Sequence, residues 1–148
     1  MEDKFRSHEA DFNKLVIMIK ADTKLDSVDE TAAYLPGDPG AHPKAEISTE
    51  RMSEYRRLIR QTGVKKVTRN RAGDRITFEA WQGWGPIDPS NTQYKDYVYD
   101  ENPPSPLVAS LDKIDNKVFD SQDRTDEDGK RAFKKIADKW YLNYILID

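Results

Sequence analysis

Two histidines, a pair of tryptophans three residues apart and an acidic turn are where this chain's residue types could do chemistry. His8 and His42 each lack a second ligand four residues away. No His-Glu-x-x-His run exists, so the spacing offers neither a metal site nor a hydrolytic base. Arg124–Gly129 has the look of half a calcium loop. With Gly129 at the sixth position, Arg124 and Lys135 fall where carboxylates are required, and the loop fails. Asp126 and Asp128 are paired carboxylates, but nothing apolar surrounds them to raise a pKa for acid–base work. A phosphate-cradling glycine loop and a Gly-x-Ser-x-Gly elbow are both missing. The expectation is therefore no catalytic residue, no metal and no cofactor, with a small carboxylate-dependent hydrolase as the weakest alternative. Trp81 and Trp84 point elsewhere. Glycines flank Trp84 and Pro86 follows, the pattern of a loop that presents an indole for contact. Tyr94, Tyr97 and Tyr99 extend that aromatic surface. The bland alternative is that Trp84 folds back to cap a sheet edge.

The charge layout adds cations to this picture. Between Arg51 and Arg75 nine basic residues face two acids, and between Asp96 and Asp128 ten acids face three bases, local balances of +7 and -7 inside a net charge of -3. Such polarity marks a partner surface or two segments that neutralise each other in the fold. Arg56, Arg57 and Arg60 join the tryptophans as candidate contact residues, although cations near a helix C-terminus are favoured by its dipole alone. A nucleic-acid reading would use the same arginines with Lys65, Lys66, Arg69 and Arg71, and Trp84 as a stacking platform. The acidic pI of about 5.5 disfavours it.

Composition sets the frame. Without cysteine there is no disulfide, thiol catalysis or thiolate metal site. Charged residues at 34% against 36% hydrophobic fit one modest core with long polar loops, and one domain is expected from the length. No run approaches the roughly 18 apolar residues of a membrane helix, and the start lacks a signal peptide's apolar core.

The elements that must position these residues read as α+β. Ser7 is expected to cap a helix whose stripe is Phe12, Leu15, Val16 and Ile19, widened by Ile17 and Met18. Residues 35–45, with three prolines and two glycines, form a loop. Ser48 caps a second helix with Met52, Tyr55, Leu58 and Ile59 buried, and Gly63 closes it. Val64–Arg69 and Arg75–Trp81 form a hairpin around Gly73, broken at Gly83–Pro86. Tyr94–Tyr99 is a strand, and residues 131–137 fit helix or strand. Trp140–Ile147, rich in aromatic and β-branched residues, is a strand apolar on both faces and so central. The expected architecture is two N-terminal helices packed on a mostly antiparallel sheet of about four to five strands, with the C-terminal strand central.

Four stretches carry a resemblance: Asp11–Val16, Ile47–Leu58, Pro104–Asp112 and Trp140–Tyr144. In this order they resemble a family of small proteobacterial proteins, many of them predicted lipoproteins. The resemblance implies the cell envelope or periplasm as the compartment if a leader is removed, the cytoplasm otherwise, and a membrane only through a lost lipid anchor. It supplies no catalytic residue. This chain lacks the lipobox cysteine, and its loop Gln82–Pro89 departs from the pattern. The expected function is a non-enzymatic protein-binding protein, of the envelope, immunity or inhibitor type. A protein is its expected partner, and a nucleic acid is the disfavoured alternative.

Overall fold

A computed structural model describes residues 1–37, 43–84, 92–111 and 130–147, and of Trp81, Gly83, Trp84, Thr92 and Ile147 it describes only the backbone. His42, the loop from Gly85 to Asn91 and the Arg124–Gly129 turn lie outside the described residues. The fold is α+β, as the sequence leads one to expect. Among the described residues its strands number seven: β1 (Ser27–Asp29), β2 (Ala33–Tyr34), β3 (Lys66–Arg69), β4 (Arg75–Trp84), β5 (Thr92–Asp100), β6 (Lys130–Ala137) and β7 (Trp140–Ile147). They lie in the order β2-β1-β3-β4-β5-β7-β6, and every strand pairing described is antiparallel. The chain gathers into two compact units, Met1–Glu79 and Ala80–Asp148, and the junction falls within one strand, β4.

In the first unit, helices α1 (Glu2–Ser7) and α2 (Glu9–Ala21) are separated at His8. Ser7 is not the cap: its hydroxyl donates back to the Asp3 carbonyl, and His8 occupies the cap position with Nδ1 3.2 Å from Asp11 Oδ2. The helical signal begins at Glu2 because Phe5 belongs to the same apolar stripe, its ring 5.3 Å from that of Phe12. Phe12 then meets Phe78 of β4 edge-on at 5.6 Å, which seats α2 on the sheet. Leu15, Val16, Met18 and Ile19 are buried beside it, but Ile17 is 68% exposed. At 100° per residue Ile17 falls about 140° from Phe12, off the buried stripe, which corrects the wider stripe expected.

Helix α3 (Thr49–Thr62) starts and stops where its residue types require. Ser48 Oγ accepts from Arg51 N at 3.1 Å, and Gly63 takes φ +68°, its N–H donating to the Ile59 carbonyl. Tyr55, Leu58, Ile59 and Thr62 are buried, while Met52 is only half-buried. Gly63→Ala is expected to destabilise the protein by about 1–2 kcal/mol, since a side chain resists left-handed backbone. Its methyl would also meet the Lys4 ammonium. A lower urea midpoint at unchanged m-value is the measurement that checks it.

Strands β1 (Ser27–Asp29) and β2 (Ala33–Tyr34) have no periodic signal, because three and two residues are too few for alternation to show. Pairing holds them: Val28 lies opposite Ala33 on one side and Val67 of β3 (Lys66–Arg69) on the other. Between β3 and β4 (Arg75–Trp84) the turn is tied by Asn70, whose Oδ1 accepts from Gly73 N and Arg75 N, with Gly73 at φ +79°. β4 runs on through Gly83 to Trp84, where the sequence led one to expect a break. A strand tolerates an interior glycine at a modest entropic cost.

The second unit holds the rest of β4 with β5 (Thr92–Asp100), β6 (Lys130–Ala137) and β7 (Trp140–Ile147). β7 pairs with β5 along its whole length and with β6 on its other side. It is interior, with Trp140 and Leu142 buried on one face and Tyr141 and Asn143 on the other. It is not the middle strand, because β6 alone lies beyond it. Phe133 of β6 in turn bonds the Pro106–Val108 segment through both its N–H and its carbonyl.

Candidate functional site: a polar cleft at the β3–β4 turn

The residues singled out from the sequence are divided between the two units, the arginines in the first and the aromatic group in the second. The three helix arginines are bound within their own unit. Arg56 Nε donates to the Glu30 carbonyl at 2.8 Å and Arg60 Nε to the Glu30 carboxylate at 2.9 Å, so both clamp the β1–β2 turn onto α3. Arg57 forks onto Glu54 at 3.0 and 3.1 Å and reaches Gln61 at 2.6 Å. Hydrogen bonds from Arg57 and Lys14 pull the Glu54 carboxyl down to about 2, and Glu54 pulls Arg57 up in return. Two of the arginines that looked like contact residues thus bond a neighbouring segment, and Arg57 bonds its own helix.

The aromatic group divides as well. Tyr97 is 2% exposed, and burial pushes its phenol up to about 12, so it is a core residue and offers no contact surface. Tyr94 is half-buried, its hydroxyl 3.4 Å from Gln82 Nε2. The indoles of Trp81 and Trp84 lie outside the described residues, their backbones being in β4.

What the first unit does assemble is a cleft of about 600 Å³, lined by Thr23, Leu25 and Asp26 from the α2–β1 connection, Pro36 and Gly37 after β2, and Arg69, Asn70 and Arg71 at the β3–β4 turn. The strand register explains why these meet. Ser27 lies opposite Thr68, so the next step along the ladder brings Asp26 beside Arg69, and Arg69 N donates to the Asp26 carbonyl at 2.8 Å. Asp26 N in turn donates to the Tyr34 carbonyl at 2.9 Å, which carries the chain after β2 to the same place.

The cleft's charged groups have different duties. Arg69 Nη2 donates to the Leu25 carbonyl at 2.8 Å and to the Thr23 carbonyl, closing the last turn after α2. Asn70 is occupied by the turn itself, with Nδ2 donating to Asp74 at 2.7 Å. The Asp26 carboxylate and the Arg71 guanidinium have no hydrogen-bond or ion-pair partner among the described residues, and they do not bond each other. Arg71 is exposed and Asp26 half-buried. Sequence reading grouped Arg69 and Arg71 with the basic segment but had no signal for Asp26, 45 positions before Arg71 in the chain.

Two polar locks stiffen the walls. Asp29 accepts at one oxygen from Thr31 N, Thr31 Oγ1 and Ala32 N and at the other from the Tyr34 hydroxyl. Burial alone would raise its carboxyl, but these four bonds outweigh it and hold the group below its usual range. Asp22, just after α2, accepts from Arg51 Nε at 2.8 Å and from the Tyr55 hydroxyl at 2.6 Å, while Arg51 also reaches the Met18 carbonyl at 3.2 Å. This joins the end of α2 to α3 immediately before the cleft begins. Both arrangements fix backbone, and neither presents a reactive group. Among the described residues no cluster of three or more metal-ligating side chains occurs. Compared with known proteins, the chain matches no family model, no curated protein and no solved structure.

Proposed function

We propose that this protein is a non-enzymatic binding protein that captures a protein partner through charge. An immunity or inhibitor role is one form of that reading, suggested by the charge polarity of the sequence, and the resemblance adds only the cell envelope as its place if a leader is removed. The observation that carries it is a pair of charges, Arg71 and Asp26, without partners among the described residues, on a turn and connection stiffened by hydrogen bonds. Charges carried at a concave surface on a hydrogen-bonded backbone give selectivity and fast encounter, and little backbone freedom is lost on binding. The nucleic-acid reading draws less support. Of the nine basic residues from Arg51 to Arg75, Arg51, Arg56, Arg57, Arg60 and Arg69 already donate to acceptors of this chain.

The test is affinity capture with the full chain, followed by kinetics on the recovered partner. A stoichiometric protein whose association slows as salt rises, and whose affinity drops at least about tenfold with Arg71→Glu, is the expected result. Recovery of no such partner, or steeply salt-dependent binding of oligonucleotides in its place, would sink the reading.

A further inference from the structure

Opposite charges that share a cleft normally close into an ion pair, or each finds another partner. Asp26 and Arg71 do neither among the described residues. Backbone anchoring accounts for this. Asp26 is held by strand bonds at both its N–H and its carbonyl, to Tyr34 and Arg69. Arg71 stands in a turn that Asn70 and Gly73 fix through the Asn70 side chain and the Gly73 N–H. Arg69 is the neighbour best placed to neutralise Asp26, but its Nη2 serves the carbonyls of Thr23 and Leu25.

We infer that this cleft is a binding site for a small zwitterion of the dipeptide or α-amino-acid class, with the ligand carboxylate on Arg71 and the ligand ammonium on Asp26. Each charge of such a ligand meets a protein charge that has no partner among the described residues. A guanidinium suits a carboxylate because its planar fork can donate two parallel bonds. A half-buried carboxylate suits an ammonium because screening by water is reduced there. The volume of about 600 Å³ lies within the range of small-molecule sites, roughly 300–1,000 Å³. Leu25, 2% exposed, gives an apolar floor, and Gly37, with no side chain, lets a ligand approach backbone closely. This site uses the same two charges as the protein-partner reading, so a zwitterion bound there would compete with that partner, and a titration with no second protein present tests the zwitterion alone.

The experiment is a nuclear magnetic resonance titration of the full chain, following the amides of Gly37, Asn70 and Gly73, with Ala-Ala as probe. The comparison probes are N-acetyl-Ala-Ala and Ala-Ala-amide. Saturable shifts with Ala-Ala are expected, and blocking either end should weaken binding about tenfold, the worth of one charge-assisted contact. Arg71→Gln should remove the discrimination against the amide while keeping that against the acetylated probe, and Asp26→Asn should do the converse. Arg71 is exposed and its exchange spares the fold, so that variant decides the matter if Asp26→Asn perturbs β1. No saturable shift up to roughly 10 mM, or equal binding of blocked and free probes, overturns the inference.

Discussion

Trp140→Ala is expected to lower the unfolding free energy by about 3–5 kcal/mol, the range for deleting a large buried aromatic side chain. Trp140 is 2% exposed, opens β7 and stands opposite Tyr99, the two rings meeting edge-on at 5.5 Å and 74°. Truncation removes that contact and leaves a void that the ladder cannot close, because β7 is bonded on both sides. Against a total stability of about 5–15 kcal/mol, such a loss populates unfolded chains at physiological temperature. Equilibrium urea unfolding, followed by far-ultraviolet circular dichroism, gives the number. Trp140→Phe should recover much of it, since the edge-on contact and most of the buried area survive. A Trp140→Ala loss below about 1 kcal/mol would mean that the strand is not an interior element.

Asp22→Ala is expected to cost about 2–3 kcal/mol. It strips the acceptor from Arg51 and from the Tyr55 hydroxyl at once, and Tyr55 is buried. The figure lies below that for a fully buried pair because Arg51 and Asp22 keep 33% and 25% of their side-chain surface in water. Tyr55→Phe loses only the hydroxyl bond and should cost about 1–2 kcal/mol. It also carries a pH signature. Burial first, and then the Asp22 carboxylate, push the Tyr55 phenol well above its usual value near 10. A raised folded-state value stabilises fully below the unfolded pKa, and that stability is lost as pH rises beyond about 10 toward the folded value. The wild-type chain should therefore lose stability above pH 10 more steeply than Tyr55→Phe. Equal alkaline slopes would show that Tyr55 ionises as freely folded as unfolded.

Local chemistry was legible in the sequence, and distant pairing was not. Ser48 and Gly63 bounded α3, and Gly73 marked the hairpin turn, because caps and turns depend on residues within a few positions of each other. The Trp140–Ile147 strand showed through its own composition. Residues 131–137 fitted a helix or a strand by periodicity, and pairing with β7 decides for strand. Arg56 and Arg60 looked like contact residues because the acceptor they bond, Glu30, lies 26 and 30 positions away, although Arg60 does stay exposed as expected. Tyr97 looked like part of an aromatic surface because strand alternation alone does not say which face is covered. The cleft was hidden for the same reason. Its Asp26 and Arg71 come to one cleft only through the register of two very short strands, which no pattern of three residues can announce.

The measurement that bears most directly on the account compares two charge reversals, Arg71→Glu and Arg57→Glu, in binding to the captured partner at moderate salt. The account predicts that Arg71→Glu weakens association at least about tenfold, whereas Arg57→Glu, which disturbs only a fork onto Glu54 and Gln61, changes it by less than about twofold. A loss confined to Arg57→Glu would return the contact surface to the helix and contradict the assignment of the cleft.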